Sequence, residues 1–114
     1  MKKYQSLIAI ILLVALSISL CACGISREEA IGTWSGTYVY NGNTFAVAFV
    51  LSADGTYAKT SYKNGDFNKA ETGIWEIDGG EVVLHENGDT GHSVAYKYKG
   101  DALVNNNHKF YKTN

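Results

Sequence analysis

The sequence predicts an all-β fold: a small antiparallel up-and-down β-barrel of about eight strands with a short N-terminal helical turn. Three observations predict it. Aromatic and β-branched residues recur in short runs between Gly, Asn and Asp clusters. Residues 44 to 52 (TFAVAFVLS) place Phe45, Val47, Phe49 and Leu51 on one face and the smaller Ala46 and Ala48 on the other, the two-residue period of a half-buried strand. The chain holds twelve glycines and no proline, and pairs such as Asn41-Gly42 punctuate it as hairpin turns do.

Taken in order, Ser26-Arg27-Glu28-Glu29 has the S-x-x-E form of a capping box, which predicts a helical turn over 27 to 31 that Gly32 ends. Residues 33 to 40 (TWSGTYVY) form the first strand, closed by Asn41-Gly42, a dipeptide suited to the positive φ angles of a type I′ turn. The alternating strand at 44 to 52 follows, then Asp54-Gly55, the strand 56 to 63 (TYAKTSYK) and the turn Asn64-Gly65-Asp66. Residues 69 to 78 (KAETGIWEID) put Trp75 and Ile77 opposite Glu76, and Gly79-Gly80 leads into 81 to 86 (EVVLHE). After Asn87-Gly88-Asp89 come 93 to 99 (SVAYKYK), with Val94, Tyr96 and Tyr98 opposite Lys97 and Lys99, then 102 to 105 and 109 to 112. Gly32-Thr33-Trp34 and Gly73-Ile74-Trp75 echo each other, and the expectation is that each Trp fills one end of a small core while its glycine permits a bend or a close strand crossing. Closing the meander into a barrel removes its exposed edges.

Ahead of this domain, Lys2 and Lys3 precede residues 7 to 20 (LIAIILLVALSISL), apolar apart from two serines, which is the architecture of a signal peptide. As a helix the run would rise only ~21 Å, short of the ~30 Å a spanning helix must cross. Leu20, Cys21 and Ala22 precede Cys23, and Cys21 and Cys23 are the chain's two cysteines. The stretch resembles the bacterial lipobox. That resemblance implies that residues 1 to 22 are a lipoprotein signal peptide and that Cys23 becomes the lipidated first residue, with a diacylglyceryl group on its thiol. Residues 23 to 26 then form a lipidated tether and 27 to 114 the barrel domain. A disulfide or metal clip at C-x-C spacing needs a very tight ring and has no further cysteine to complete a zinc site. A plain secreted protein cut nearby is the larger rival. Two acyl chains of palmitate type give stable attachment where one gives only marginal binding. The expected location is therefore the extracytoplasmic face of the cell membrane, in a bacterial cell envelope, anchored by lipid.

Removing residues 1 to 22 leaves 92 of the 114 residues, enough for one small domain. Eight basic residues remain, ten less Lys2 and Lys3, against eleven acidic, a balance of −3 with histidine neutral. Scattered lysines among acids do not make the concentrated basic surface that nucleic acid needs, so no nucleic-acid partner is expected.

The short helix, G-x-W, D-G-T-Y (Asp54 to Tyr57), G-x-W-x-I (Gly73 to Ile77), Gly-Gly turn and final aromatic strand together resemble the small lipocalin-like domains of bacterial lipoproteins, among them the NlpE N-terminal domain. The resemblance covers roughly residues 27 to 112. It implies a lipidated lipocalin-like barrel and a role as a ligand-binding or envelope-stress module. The NlpE-like domain carries a C-x-x-C pair in its first long loop, whereas residues 38 to 44 here (YVYNGNT) have no cysteine, so copper binding is not implied.

No enzyme signature emerges, and no cofactor is expected. Glu76, Glu81 and Glu86 read as solvated, the aspartates beside glycine as turn formers, and Ser35 lacks the strand-to-helix elbow of a hydrolase nucleophile. His85, His92 and His108 form no H-x-H or H-x₃-H pair and read as single exposed histidines, with a discontinuous metal site left open. The remaining candidate is a pocket. Trp34, Phe45, Phe49, Tyr57, Trp75 and Tyr96 are the expected lining of a barrel mouth for a small apolar ligand, although side chains of this size in short strands favour a filled core. Tyr38, Tyr40 and Tyr62 are the expected outer-face tyrosines for a protein partner, as in an inhibitor or accessory subunit.

Overall fold

Among the described residues, five two-residue reversals turn the chain back on itself. Asn41 and Gly42 have φ of 50° and 76°, and Asn64 and Gly65 have 51° and 88°. Gly79-Gly80, Gly100-Asp101 and Asn106-Asn107 likewise hold positive φ at both positions. Successive positive φ values give the turn a twist that matches the right-handed twist of its flanking strands. The strands between them pair with their sequence neighbours, and the meander closes on itself.

The computed structural model describes residues 24–87 and 92–113, so Cys21 and Cys23 lie outside the described residues. Helix α1 (Arg27–Ala30) leads into β1 (Gly32–Tyr40), β2 (Asn43–Leu51), β3 (Thr56–Lys63), β4 (Asp66–Asp78), β5 (Glu81–Glu86), β6 (Ser93–Lys99), β7 (Ala102–Asn105) and β8 (His108–Lys112). The eight strands form a closed antiparallel barrel in sequence order, sealed where Trp34 pairs with Lys112 and Ser35 with Tyr111. Among the described residues no helix is long and apolar enough to cross a membrane.

Most expected elements stand where the sequence put them. Strand β4 starts at Asp66 and not at Lys69, because Asn64-Gly65 completes the turn alone and Asp66 already pairs with Lys63. The register then shifts between Ser61 and Tyr62, which absorbs one extra residue and hides the alternation in residues 66 to 69. Helix α1 ends at Ala30 with Ile31 as its C-cap, and the capping box is complete: the Ser26 hydroxyl accepts from the Glu29 amide, and the Glu29 carboxylate accepts from the Ser26 amide. The chain joins the domain before that helix. Ile25 is buried in the core and its N–H donates to the Gly80 carbonyl at 3.0 Å, so Gly24 to Ser26 are built into the fold.

The barrel has two unlike poles. At the first, α1 and Ile25 lie over the open strand ends beside the β2–β3, β4–β5 and β6–β7 turns. Trp34 donates its indole N–H to the Ala30 carbonyl at 2.8 Å, and Trp75 donates to the Ser52 carbonyl at 2.9 Å. The Arg27 guanidinium covers the Trp75 ring at 4.6 Å and donates to the Ala53 carbonyl. Both tryptophans thus close the same end, a correction to the expectation of one at each. The sequence echo marks two strands that meet at one pole, because Trp34 lies near the start of β1 and Trp75 near the end of β4. Gly73 meets its expected role as a close crossing: a Cβ there would collide with the His85 carbonyl and the Tyr57 ring. In the middle, Phe49 packs against Tyr96 and Phe110 with ring centroids 5.2 and 5.4 Å away. Such rings pack at crystal-like density and fill the girth of an eight-stranded barrel.

Candidate functional site

Strand alternation carries one face of every strand into the barrel, and the same rule that buries the aromatic belt also aims charges inward at the second pole. Phe49 pairs with Lys59, and Lys59 pairs with Glu71. Gly73 pairs with Glu86. Lys59, Glu71 and Glu86 therefore lie on the inner face, with Lys59 in register with Phe49 of the belt. With Tyr57, Lys69, Leu84 and residues 92–94 they line a cavity of about 370 Å³ at the mouth.

Tyr57, Glu71 and the two lysines in it make polar contacts. The Tyr57 hydroxyl donates to Glu71 Oε2 at 2.9 Å, Lys69 Nζ lies 3.8 Å from Glu71 Oε1, and Lys59 Nζ lies 3.5 Å from the Tyr96 hydroxyl. The last two are long contacts and weak ones. The first is short, and it adds to the effect of burial. Burial holds the Tyr57 phenol well above the ordinary tyrosine range, and the hydrogen bond to Glu71 with its negative charge pushes the same way. Tyr96 is raised chiefly by burial, with the Glu71 charge adding to it. Glu71 is thus the electrostatic centre of the mouth.

All six expected pocket residues face inward. Trp34, Phe49, Tyr57, Trp75 and Tyr96 are at most 3 % exposed, and Phe45 packs against them partly buried. They fill the barrel more than they line a vacancy, and of the six Tyr57 alone reaches the mouth cavity. Glu86, expected to be solvated, is instead an inward, half-buried residue, because β5 buries its even-numbered positions beginning with Val82 and Leu84. Tyr38, expected on the outer face, shares the inner face with Trp34 and stacks on His108 at 3.8 Å and on Phe45 at 5.3 Å. Tyr40 continues that face past the barrel rim and is exposed; Tyr62 does face outward, 44 % exposed.

The histidines separate. His85 points outward between Glu76, at 3.5 Å, and the Ser93 hydroxyl, at 2.6 Å, while His108 is engaged with Tyr38 at the inner rim. Among the described residues no three His, Cys, Asp or Glu side chains gather as a metal site would require.

No protein-family model, curated protein or solved structure matches this chain.

A second feature lies on the outside. Every outward position of β1, β2 and β3 is Thr, Ser, Ala, Val or Tyr, with no charge among them. A concavity of about 600 Å³ runs over Ser35, Thr37, Ala46 and Ala48, flanked by Tyr62 and Tyr111. Beside it Tyr62 and Phe67 meet edge to face at 6.2 Å, both exposed to solvent.

Lysines and glutamates in the lumen were not signalled by composition. The cue was local: Lys59 stands two residues after Tyr57, and Glu71 four before Trp75, so each shares its neighbour's face.

Proposed function

We infer that this protein is a membrane-anchored extracytoplasmic lipoprotein whose lipocalin-like barrel is a non-enzymatic binding module, taking a small water-soluble ligand of mixed charge at its mouth. The observation that carries the ligand reading is the inward Lys59 and Glu71 pair above a filled aromatic belt. The aromatic rings occupy one another, which leaves little room for an apolar guest. The mouth instead offers ammonium and carboxylate groups with a phenol, the complement of a zwitterion, in a cavity within the size range of small-molecule sites. Anchoring rests on the lipobox at Cys23.

Free amino acids and short peptides, used as zwitterionic probes in a thermal-shift series on the mature protein, test the site. A probe that raises the melting temperature of the wild type and not of Glu71→Gln supports it; a wild type that no probe shifts overturns it. Intact mass of the mature protein tests the anchor, and Cys23→Ala is expected to keep its leader and lose the acyl mass.

The uncharged outer face of β1 to β3 favours a second reading, a protein-interaction module of inhibitor or accessory type. It predicts that one defined partner is lost on Phe67→Lys and kept on Glu71→Gln. The ligand reading predicts that neither substitution changes protein capture.

A further inference from the structure

We propose that the barrel stands on the membrane by its α1-capped pole, with the β4–β5 turn against the lipid headgroups and the charged mouth facing away into water. This deepens the reading of Cys23 as the lipid-bearing residue and rests on it. The argument comes from the residues that follow that cysteine. Ile25 is 3 % exposed and its N–H is bonded to the Gly80 carbonyl at 3.0 Å. Gly24 lies so close on the Gly80 backbone that a Cβ at Gly24 would collide with it. Cys23 precedes Gly24 by one peptide unit, a Cα step of about 3.8 Å. A slack leash gains reach at up to about 3.6 Å per residue, and here no residue is slack between the acylated position and the clamp. Two acyl chains that enter the bilayer at Cys23 must therefore bring Gly79-Gly80 to the headgroups with them.

Topology extends this from one turn to a whole pole. In an up-and-down barrel alternate turns share an end, so the β2–β3 and β6–β7 turns lie beside the β4–β5 turn. Thr113 N–H bonded to the Thr33 carbonyl, and Lys112 Nζ bonded to the Glu29 carbonyl, bring the C-terminal strand end to the same place. That pole exposes Glu28, Asp54, Asp78 and Asp101. Arg27, Lys99 and Lys112 are interspersed with these acids, so the pole has no concentrated basic patch of the kind an anionic leaflet attracts, and the acyl chains and the Gly24–Gly80 clamp set the contact.

Orientation then selects the ligand's source. Trp34, Trp75 and Ile25 plug the membrane-facing pole, and both indole N–H groups are committed to backbone carbonyls. Ile25, Trp34 and Trp75, each at most 3 % exposed, thus stand between the bilayer and the lumen, and the Lys59 and Glu71 mouth faces the aqueous side. The module samples solutes from water and does not extract lipid from the membrane that carries it.

Asp78→Cys and Lys63→Cys, both exposed, mark the two poles; with Cys21 removed and Cys23 acylated, each variant carries one free thiol. Each is labelled with bimane and reconstituted, as lipidated mature protein, in phosphatidylcholine vesicles bearing a headgroup nitroxide. The label at position 78 is expected to lose most of its emission and that at 63 to keep it. A flexible Gly-Ser linker inserted after Cys23 is expected to restore emission at 78 while the protein stays bound. Equal quenching at both positions, or stronger quenching at 63, in protein whose mass confirms the acyl group overturns the orientation alone. A mass without the acyl group overturns the anchor and the orientation together.

Discussion

Tyr57 and Glu71 meet inside the barrel, phenol hydroxyl to carboxylate at 2.9 Å, although fourteen residues separate them in the chain. Tyr57 pairs in register with Gly73, so the missing side chain at Gly73 leaves the ring space to lean along the sheet toward Glu71. Burial and this carboxylate together hold the phenol protonated far above its ordinary range.

An alkaline titration followed by tyrosine absorbance should show this directly. Tyr57 and Tyr96 are expected to ionise well after the exposed tyrosines, and Glu71→Gln should bring Tyr57 back toward the others. The sign for stability follows from linkage. An unfolded tyrosine loses its proton near pH 10 while the folded one keeps it, so these groups leave stability unchanged below that range and lower it as pH rises through it. Urea denaturation at pH 8 and above pH 10 checks the slope; a stability that climbs with alkalinity contradicts the assignment.

Gly73→Ala should be costly. The new methyl group meets the His85 carbonyl and the Tyr57 ring, and backbone on a paired strand cannot yield as a side-chain end can. A loss of about 1–3 kcal/mol is expected from overpacking, read as a lower denaturation midpoint. Gly42→Ala provides the contrast, since nothing lies within 4 Å of its added methyl and only the positive φ is strained.

Ser26→Ala removes the capping hydroxyl from α1, for a loss of about 1 kcal/mol. The effect should reach beyond the helix, because Ala30 holds the Trp34 indole. Tryptophan emission shifting red in this variant before global unfolding would register the loosened pole; a spectrum unchanged up to the main transition would show that the Trp34 contact survives without the cap.

Phe49→Ala should cost about 3–5 kcal/mol, the usual range for an aromatic deleted from a packed core, since its fully buried ring touches Tyr96 and Phe110. Phe67→Ala removes an exposed edge-to-face partner of Tyr62, worth about 0.5–1.5 kcal/mol at most. Chemical denaturation of the two side by side distinguishes core from surface, and a Phe67 loss as large as that of Phe49 would mean that the outer pair is structural.

The turns and the alternation were legible in the linear sequence because both are local. Asn-Gly and Gly-Gly pairs specify positive φ within two residues, and the period at Phe45 to Leu51 assigns a face within one strand. They sufficed for eight strands and for the inward direction of all six expected aromatics. They could not reveal that Trp34 and Trp75 share a pole, that Tyr38 turns in toward His108, or that Glu86 joins the mouth. Those facts depend on register between strands, and register is a property of the closed sheet. Lys59 opposite Glu71, and Gly24 resting on Gly80, exist only once distant segments are held a few ångströms apart. Short-range backbone preferences chose the strands; long-range pairing chose which charges share a lumen and which end of the barrel receives the segment before α1.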